Sequence, residues 1–158
     1  MPGKAGKKET LKIIRWSVVP SVFLIDRVLK IWVLQNLGEG AGVPVWKGIF
    51  HLTRVNNTGA AFGLWRHSSV FLAAIAALSA AAIVFFLIRG RRPAPAQFYG
   101  WSMVAGGALG NLYDRLHYGY VIDFLDFRVW PVFNAADAFI CVGVAVILWN
   151  ALYASRPS

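Results

Sequence analysis

Carboxylates set among apolar residues are the groups of this chain with chemistry to offer. Asp123 and Asp126 lie in the stretch YVIDFLDFRV, and Asp137 follows FNAA at the head of a long apolar run. Two carboxylates held close together cannot both ionise easily, so they share a proton and supply one base and one acid. Such a pair activates water for peptide hydrolysis with neither a metal nor a covalent nucleophile. If residues 120–129 form a strand, alternation turns Asp123 the same way as Val121 and Leu125, and Asp126 the same way as Ile122 and Phe124. One of the two, not both, then shares a pocket with Asp137. Taken alone, Asp137 reads as a cap, because a carboxylate near a helix N-terminus gains from orphan amides and the helix dipole.

Other polar groups stand in similar surroundings. Asp26 and Lys30 are spaced i,i+4 in the acid-first order that brings them together on one helical face. They are either a self-neutralising pair or part of a polar cavity near the outer end of a membrane span. In GGALGN, residues 106–111, the small residues let helices pack closely. Alternatively, Gly107 and Gly110 make room for a substrate backbone beside Asn111, whose amide can donate and accept. Asn57 and Asn134 have the same capacity. Arg115 reads by default as a local ion-pair partner of Asp114, and otherwise as a group orienting a catalytic carboxylate. His51, His67 and His117 lack metal-protease spacing, and no nucleophile elbow, Ser/Lys pair or phosphate-binding loop is present. The lone Cys141 excludes an internal disulfide and a cysteine metal site. No cofactor is expected.

These groups need elements to position them, and the composition says in what solvent. Of the 158 residues, 58% are apolar and 15% charged, with a mean hydropathy of +0.55. A chain this short cannot hide that much apolar surface from water, so a bilayer is its natural solvent. Runs 68–88 and 93–113 are uncharged and match the ~20 residues that cross a hydrocarbon core. The reading is an all-α membrane protein with four transmembrane helices, at about 13–36, 68–88, 95–114 and 134–154, in a single domain. The outward connections are 37–67 and 115–133. Within them, residues 45–55 and 120–129 are rich in β-branched and aromatic types, predicting a small extracytoplasmic sheet. Residues 59–65, GAAFGLW, predict a short interfacial helix with Trp65 at headgroup level.

The net charge of +9 is distributed as a topology signal. Lys4, Lys7, Lys8, Lys12 and Arg15 precede the first span, and Arg89, Arg91 and Arg92 crowd one short loop. By the positive-inside rule both termini and that loop are cytoplasmic. Nucleic-acid binding is not needed to explain the charge. The basic N-terminus reads as a retained anchor, since no small-residue cleavage site follows it. Buried acids in such a chain serve a protease, a channel or transporter, and an assembly or structural membrane protein alike, and on these grounds the protease is not the favoured class.

Four blocks read together narrow the choice: DRVLK at 26–30, NTGAAF at 57–62, GGALGNLYDRLHYGYVIDF at 106–124 and FNAADAFI at 133–140. They closely resemble lipoprotein signal peptidase, the signal peptidase II family of bacterial inner membranes, in order and over nearly the whole chain. The resemblance implies an aspartic endopeptidase that cleaves diacylglyceryl-modified prolipoproteins just before the lipid-modified cysteine. It implies Asp123 and Asp137 as the catalytic pair, and Asp26, Lys30, Asn57, Gly107, Asn111, Arg115, Asn134 and Ala136 as supporting or substrate-binding positions. Asp114 and Asp126 are then structural. The first block departs from the common D-Q-x-S/T-K in carrying Arg27 and Leu29, which leaves open the shape of the pocket rim and whether Arg27 contacts lipid headgroups. The implied partners are prolipoproteins, membrane lipids and cyclic peptide inhibitors of the globomycin type, with the active site near the periplasmic face.

Overall fold

The computed structural model describes residues 4–59, 68–89 and 93–153. The proposed interfacial helix at 59–65 falls, apart from Gly59, outside the described residues. The elements run α1 (Lys4–Asn36), β1 (Gly42–Trp46), β2 (Phe50–Asn57), α2 (Ser68–Arg89), α3 (Pro95–Tyr118), β3 (Val121–Asp126) and α4 (Ala135–Tyr153). The apolar runs are thus helices, with some boundaries moved. Helix α1 starts well before residue 13, and α3 carries on through Arg115 to Tyr118, beyond the expected end at 114. Gly119 stops it there with a left-handed φ of 80°, its N–H reaching the Arg115 carbonyl.

Helix α3 is the hub, touching α1, α2, α4 and β3. Glycines set the closeness of that packing. A Cβ on Gly107 would lie 2.5 Å from the Ala136 carbonyl oxygen, and one on Gly110 would lie 2.5 Å from an Asp26 carboxylate oxygen. The small-residue stripe therefore serves helix packing; the space at Gly107 and Gly110 is filled by α4 and α1, not left open for a substrate backbone. Toward the other end of α3, Phe98 and Ala105 pack on Ile83 and Leu87 of α2 and on Trp16 of α1. The Trp16 and Phe98 rings meet edge to face at 5.4 Å.

The three strands form one antiparallel sheet in the order β1-β2-β3. Its register pairs Asn57 with Val121, Val55 with Asp123 and His51 with Asp126. A second core lies beneath it, where Ile122 and Phe124 pack on Val33 and Leu37 of α1 and Ala135 of α4. The strand ends at Asp126, three residues short of the expected 129, because Arg128 adopts φ 64° and turns the chain. The return leg bridges Phe133 to Leu125, delivering the chain to the start of α4.

Among the described residues two helices are long and apolar enough to cross a membrane: Val70–Arg89, with mean hydropathy 2.7, and Ala135–Tyr153, with 2.0. Only 22% and 17% of these segments are buried within the protein, so they are not the hidden core helices of a water-soluble domain. Leu78, Phe85, Leu148 and Trp149 all face outward. Helices α1 and α3 are less apolar: Asp26, Arg27 and Lys30 interrupt α1, and α3 carries Gln97, Asn111, Asp114 and Arg115.

Candidate active site

The polar site is built from the C-terminal halves of α1 and α3, from β2 and β3, and from the head of α4. Its deepest layer is ionic. The Lys30 ammonium, fully buried, has three protons and three acceptors: Asp26 Oδ2 at 2.9 Å, Asp114 Oδ2 at 2.7 Å and Asn111 Oδ1 at 3.0 Å. Arg27 Nη2 lies 2.6 Å from Asp114 Oδ1 and 3.2 Å from Asp26 Oδ2, with its guanidinium over the Tyr113 ring at 4.7 Å. Two acids and two bases thus cancel where single buried charges would be very costly. Arg27, whose surroundings the sequence left open, is buried in the network. One expectation is corrected: Asp114 is partnered by Arg27 and Lys30 of α1 rather than by its neighbour Arg115. Asp26 also accepts the Ala136 N–H at 3.0 Å, so α1 caps the head of α4 from the side. Asp114 accepts the Ile122 N–H at 3.2 Å and ties β3 to α3.

Above this layer two asparagines join the two candidate carboxylates. Because Lys30 has only protons to offer, the Asn111 carbonyl must face it, and the Asn111 NH2 then points to Asp137 Oδ1 at 2.7 Å. The Asn134 NH2 donates to Asp123 Oδ1 at 2.7 Å and to Asn111 Oδ1 at 3.1 Å. Asp123 and Asp137 are therefore linked through Asn134 and Asn111, a connection of two side chains. Asn134 and Asp137 also cap α4 reciprocally. The Asp137 N–H donates to Asn134 Oδ1 at 3.0 Å, and the Asn134 N–H to Asp137 Oδ2 at 3.3 Å, the capping-box arrangement with an aspartate at its third position. Asp137 thus both caps its helix and presents a carboxylate at the site, joining the two readings that its position allowed.

Asp123 is buried, with 2% of its surface exposed, while Asp137 is more open. Asn57 fixes the second Asp123 oxygen: its carbonyl accepts the Gly59 N–H at 2.8 Å, leaving its NH2 to donate to Asp123 Oδ2 at 2.8 Å. Burial pushes the Asp123 carboxyl up to about 6. Its hydrogen bonds from Asn57 and Asn134 pull the other way, the Asp137 charge adds to the rise, and Lys30 opposes it. A carboxyl so displaced holds a proton in a range where ordinary aspartates have lost theirs.

Arg115 donates to the Asn111 backbone carbonyl at 3.3 Å, and Asp137, Asp123 and Asp114 act on its charge. It lies on the carboxylate side of α3. Asp126 faces away, as alternation requires. It accepts from Thr53 at 2.8 Å and from the Arg128 N–H and guanidinium at 2.8 and 3.0 Å. Among the described residues no group of three or more His, Cys, Asp or Glu could hold a metal ion. An apolar groove of about 450 Å³ between α1 and α3, lined by Phe23, Leu109, Leu112 and Tyr113 among others, contains none of the site's polar groups.

Comparison with known proteins assigns the chain to a family. Residues 18–153 match the family described as signal peptidase (SPase) II. The chain belongs to the signal peptidase II family. It is therefore a peptidase, a hydrolase of peptide bonds. Signal peptidase II relatives include the lipoprotein signal peptidase of Pelotomaculum thermopropionicum, 43% identical over 89% of this chain and 93% of that protein. That of Halothermothrix orenii is 38% identical over 83% and 90%. Two solved structures, both described as a bacterial membrane enzyme, are similar at TM-scores of 0.80 and 0.82. They are 26% and 28% identical, covering 92% and 90% of this chain and 93% and 94% of theirs. Membership fits the interruption of otherwise apolar helices by polar residues. What sequence reasoning missed in this signal peptidase II chain is the partnering: Asn111 with Asn134, and Asp114 with Lys30. The one local signal available was the N-A-A-D spacing of the capping box.

Proposed function

We propose that this chain is a membrane aspartic endopeptidase that removes signal peptides from diacylglyceryl-modified prolipoproteins, cutting before the lipid-modified cysteine, with Asp123 and Asp137 as its catalytic pair. The observation that carries this reading is the Asn134–Asn111 connection, in which two hydrogen-bonded amides link one buried carboxylate, on Asn134, to one more open carboxylate, on Asn111. The ionised member takes a proton from water as its oxygen attacks the scissile carbonyl carbon. The protonated member donates to the carbonyl oxygen, and the tetrahedral intermediate collapses as the amine nitrogen is protonated and the C–N bond breaks. Either aspartate can hold the proton, which belongs to the pair. The products are the signal peptide's carboxylate and the free amino group of the modified cysteine. Asn57, Asn111, Asn134, Asp26, Lys30, Gly107 and Ala136 act by placing the pair, and Arg115 by its charge beside it.

The same reading makes α1 to α4 four spans of a single domain, with both termini cytoplasmic and the sheet on the outer side of a bacterial inner membrane. The basic residues at the N-terminus and around Arg89 support that orientation. The substrate's acyl chains stay in lipid, which turns a two-body search into a positioned encounter. Cyclic peptides of the globomycin type would compete for the site. The test is release of signal peptide from modified and unmodified prolipoprotein at equal concentration in the same liposomes. Each buried methylene adds about 0.8 kcal/mol to membrane partitioning, so the modified substrate is expected to be cleaved and the unmodified one to lag far behind. Equal rates would refute lipid-dependent recognition.

A further inference from the structure

The end of the sheet farthest from Asn57 and Asp123 carries an apolar surface that the proposed chemistry does not use. The β1–β2 hairpin exposes Val45, Trp46 and Ile49, by 60%, 65% and 47%. Beside it, the turn after β3 exposes Phe127, Val129 and Trp130, by 42%, 92% and 69%. The two meet through the Phe50 and Phe127 rings, 4.8 Å apart, and Phe127 stacks in turn on Phe133 at 5.9 Å. Exposed apolar side chains in a contiguous patch mark a site of interaction.

The turn is held in an uncommon shape. Arg128 is a non-glycine residue at φ 64°, a conformation that needs support from its surroundings. Asp126 supplies it, accepting the Arg128 N–H on one oxygen and its guanidinium, with the Thr53 hydroxyl, on the other. Asp126 is thereby buried as an acceptor, while Val129 and Trp130 are driven outward. The chain around them, residues 42–50 and 127–133, contains Lys47 and no acid, the Arg128 guanidinium being already paired with Asp126.

Charge and position select the occupant. Tryptophan beside a cation suits the headgroup layer, and a cation suits anionic lipid. Trp130 stands five residues before Ala135, where an apolar, outward-facing helix begins. It can therefore lie no farther than about 18 Å from that helix's end. We propose that the hairpin tip and the 127–130 turn form an apolar wedge that inserts into the outer leaflet, with Asp126 as the pin that shapes it. The wedge anchors the sheet, and with it Asp123, against the bilayer. This inference rests on the reading of the helices as membrane spans.

Spin labels test it in the full chain with Cys141→Ala, reconstituted in phosphatidylethanolamine/phosphatidylglycerol vesicles. Labels at Val129→Cys and Ile49→Cys are expected to be more accessible to oxygen than to a water-soluble nickel complex. A label at Leu78→Cys, on the outward face of α2, reports separately on the spans. Nickel-favouring values at 129 and 49, with oxygen-favouring values at 78, would overturn the wedge and leave the membrane reading intact. Nickel-favouring values at 78 would overturn both. Protection from both reagents at 129 and 49 would mean a protein partner and would also overturn it. Adding Asp126→Ala is expected to shift the label at 129 toward the nickel complex while the label at 78 stays unchanged. An unshifted label at 129 would refute the pin.

Discussion

Removing the Asn57 amide should raise, not lower, the pH at which the enzyme loses activity. Burial sets the Asp123 carboxyl at about 6 against the pull of two amide hydrogen bonds. Relative to an ordinary aspartate, that displacement corresponds to roughly 3 kcal/mol favouring the protonated form. The Asn57 NH2 donates to Asp123 Oδ2 at 2.8 Å and so stabilises the ionised form. A hydrogen bond to a charged group is worth ~1.5–3 kcal/mol, and Asn57 lies at the exposed end of its strand, so the lower end applies. Dividing by about 1.4 kcal/mol per tenfold, Asn57→Ala should move Asp123 from about 6 to about 7. The sign follows from the role: the pair needs one proton, and kcat/KM falls as rising pH removes the last one. The assay is kcat/KM for a diacylglyceryl-modified prolipoprotein from pH 4 to 9, comparing parent and Asn57→Ala. The account expects an alkaline limb near 6 in the parent and about one pH unit higher in the variant, whatever happens to the maximal rate. A limb that stays in place or moves down would refute the reasoning.

Lys30→Met should destabilise the protein by ~3–5 kcal/mol, because it leaves Asp26 and Asp114 with Arg27 alone; adding Asp114→Asn should recover part of that in thermal unfolding in detergent. No recovery would contradict the charge balance. Gly107→Ala should cost ~1–3 kcal/mol by overpacking against the Ala136 carbonyl and slow cleavage by displacing the head of α4; activity and melting temperature equal to the parent's would refute the close approach. Asp126→Asn should keep most of the activity, since its partners are Thr53 and Arg128; a dead Asp126 variant beside an active Asp123→Asn variant would reverse the choice of carboxylates.

Much of this is legible in the sequence because it depends on local order. Uncharged runs mark the helices, and alternation separates Asp123 from Asp126 once residues 121–126 are a strand. The spacing of Asn134 and Asp137 is that of a helix cap. What local order cannot supply is the identity of distant partners. Arg115 sits next to Asp114, yet a helix points consecutive residues about 100° apart, and the cations that reach Asp114 come from α1. Arg27 has Asp26 beside it in sequence, but its shorter contact is with Asp114, which only the packing of α3 on α1 supplies. The GGALGN stripe fits both a groove and a packing seam, and only the approach of α4 to Gly107 decides between them. The two asparagines between the carboxylates are 23 positions apart, joined by the return of the chain from β3 to α4.

The central claim is that Asp123 and Asp137 act as one proton-sharing unit. Its most direct test is cleavage of a modified prolipoprotein by Asp123→Asn, Asp137→Asn and the double variant, each verified as folded and membrane-inserted. Residues acting as a unit give losses that do not add, so each single variant is expected to be nearly as inactive as the double. Substantial cleavage by either single variant would contradict the claim.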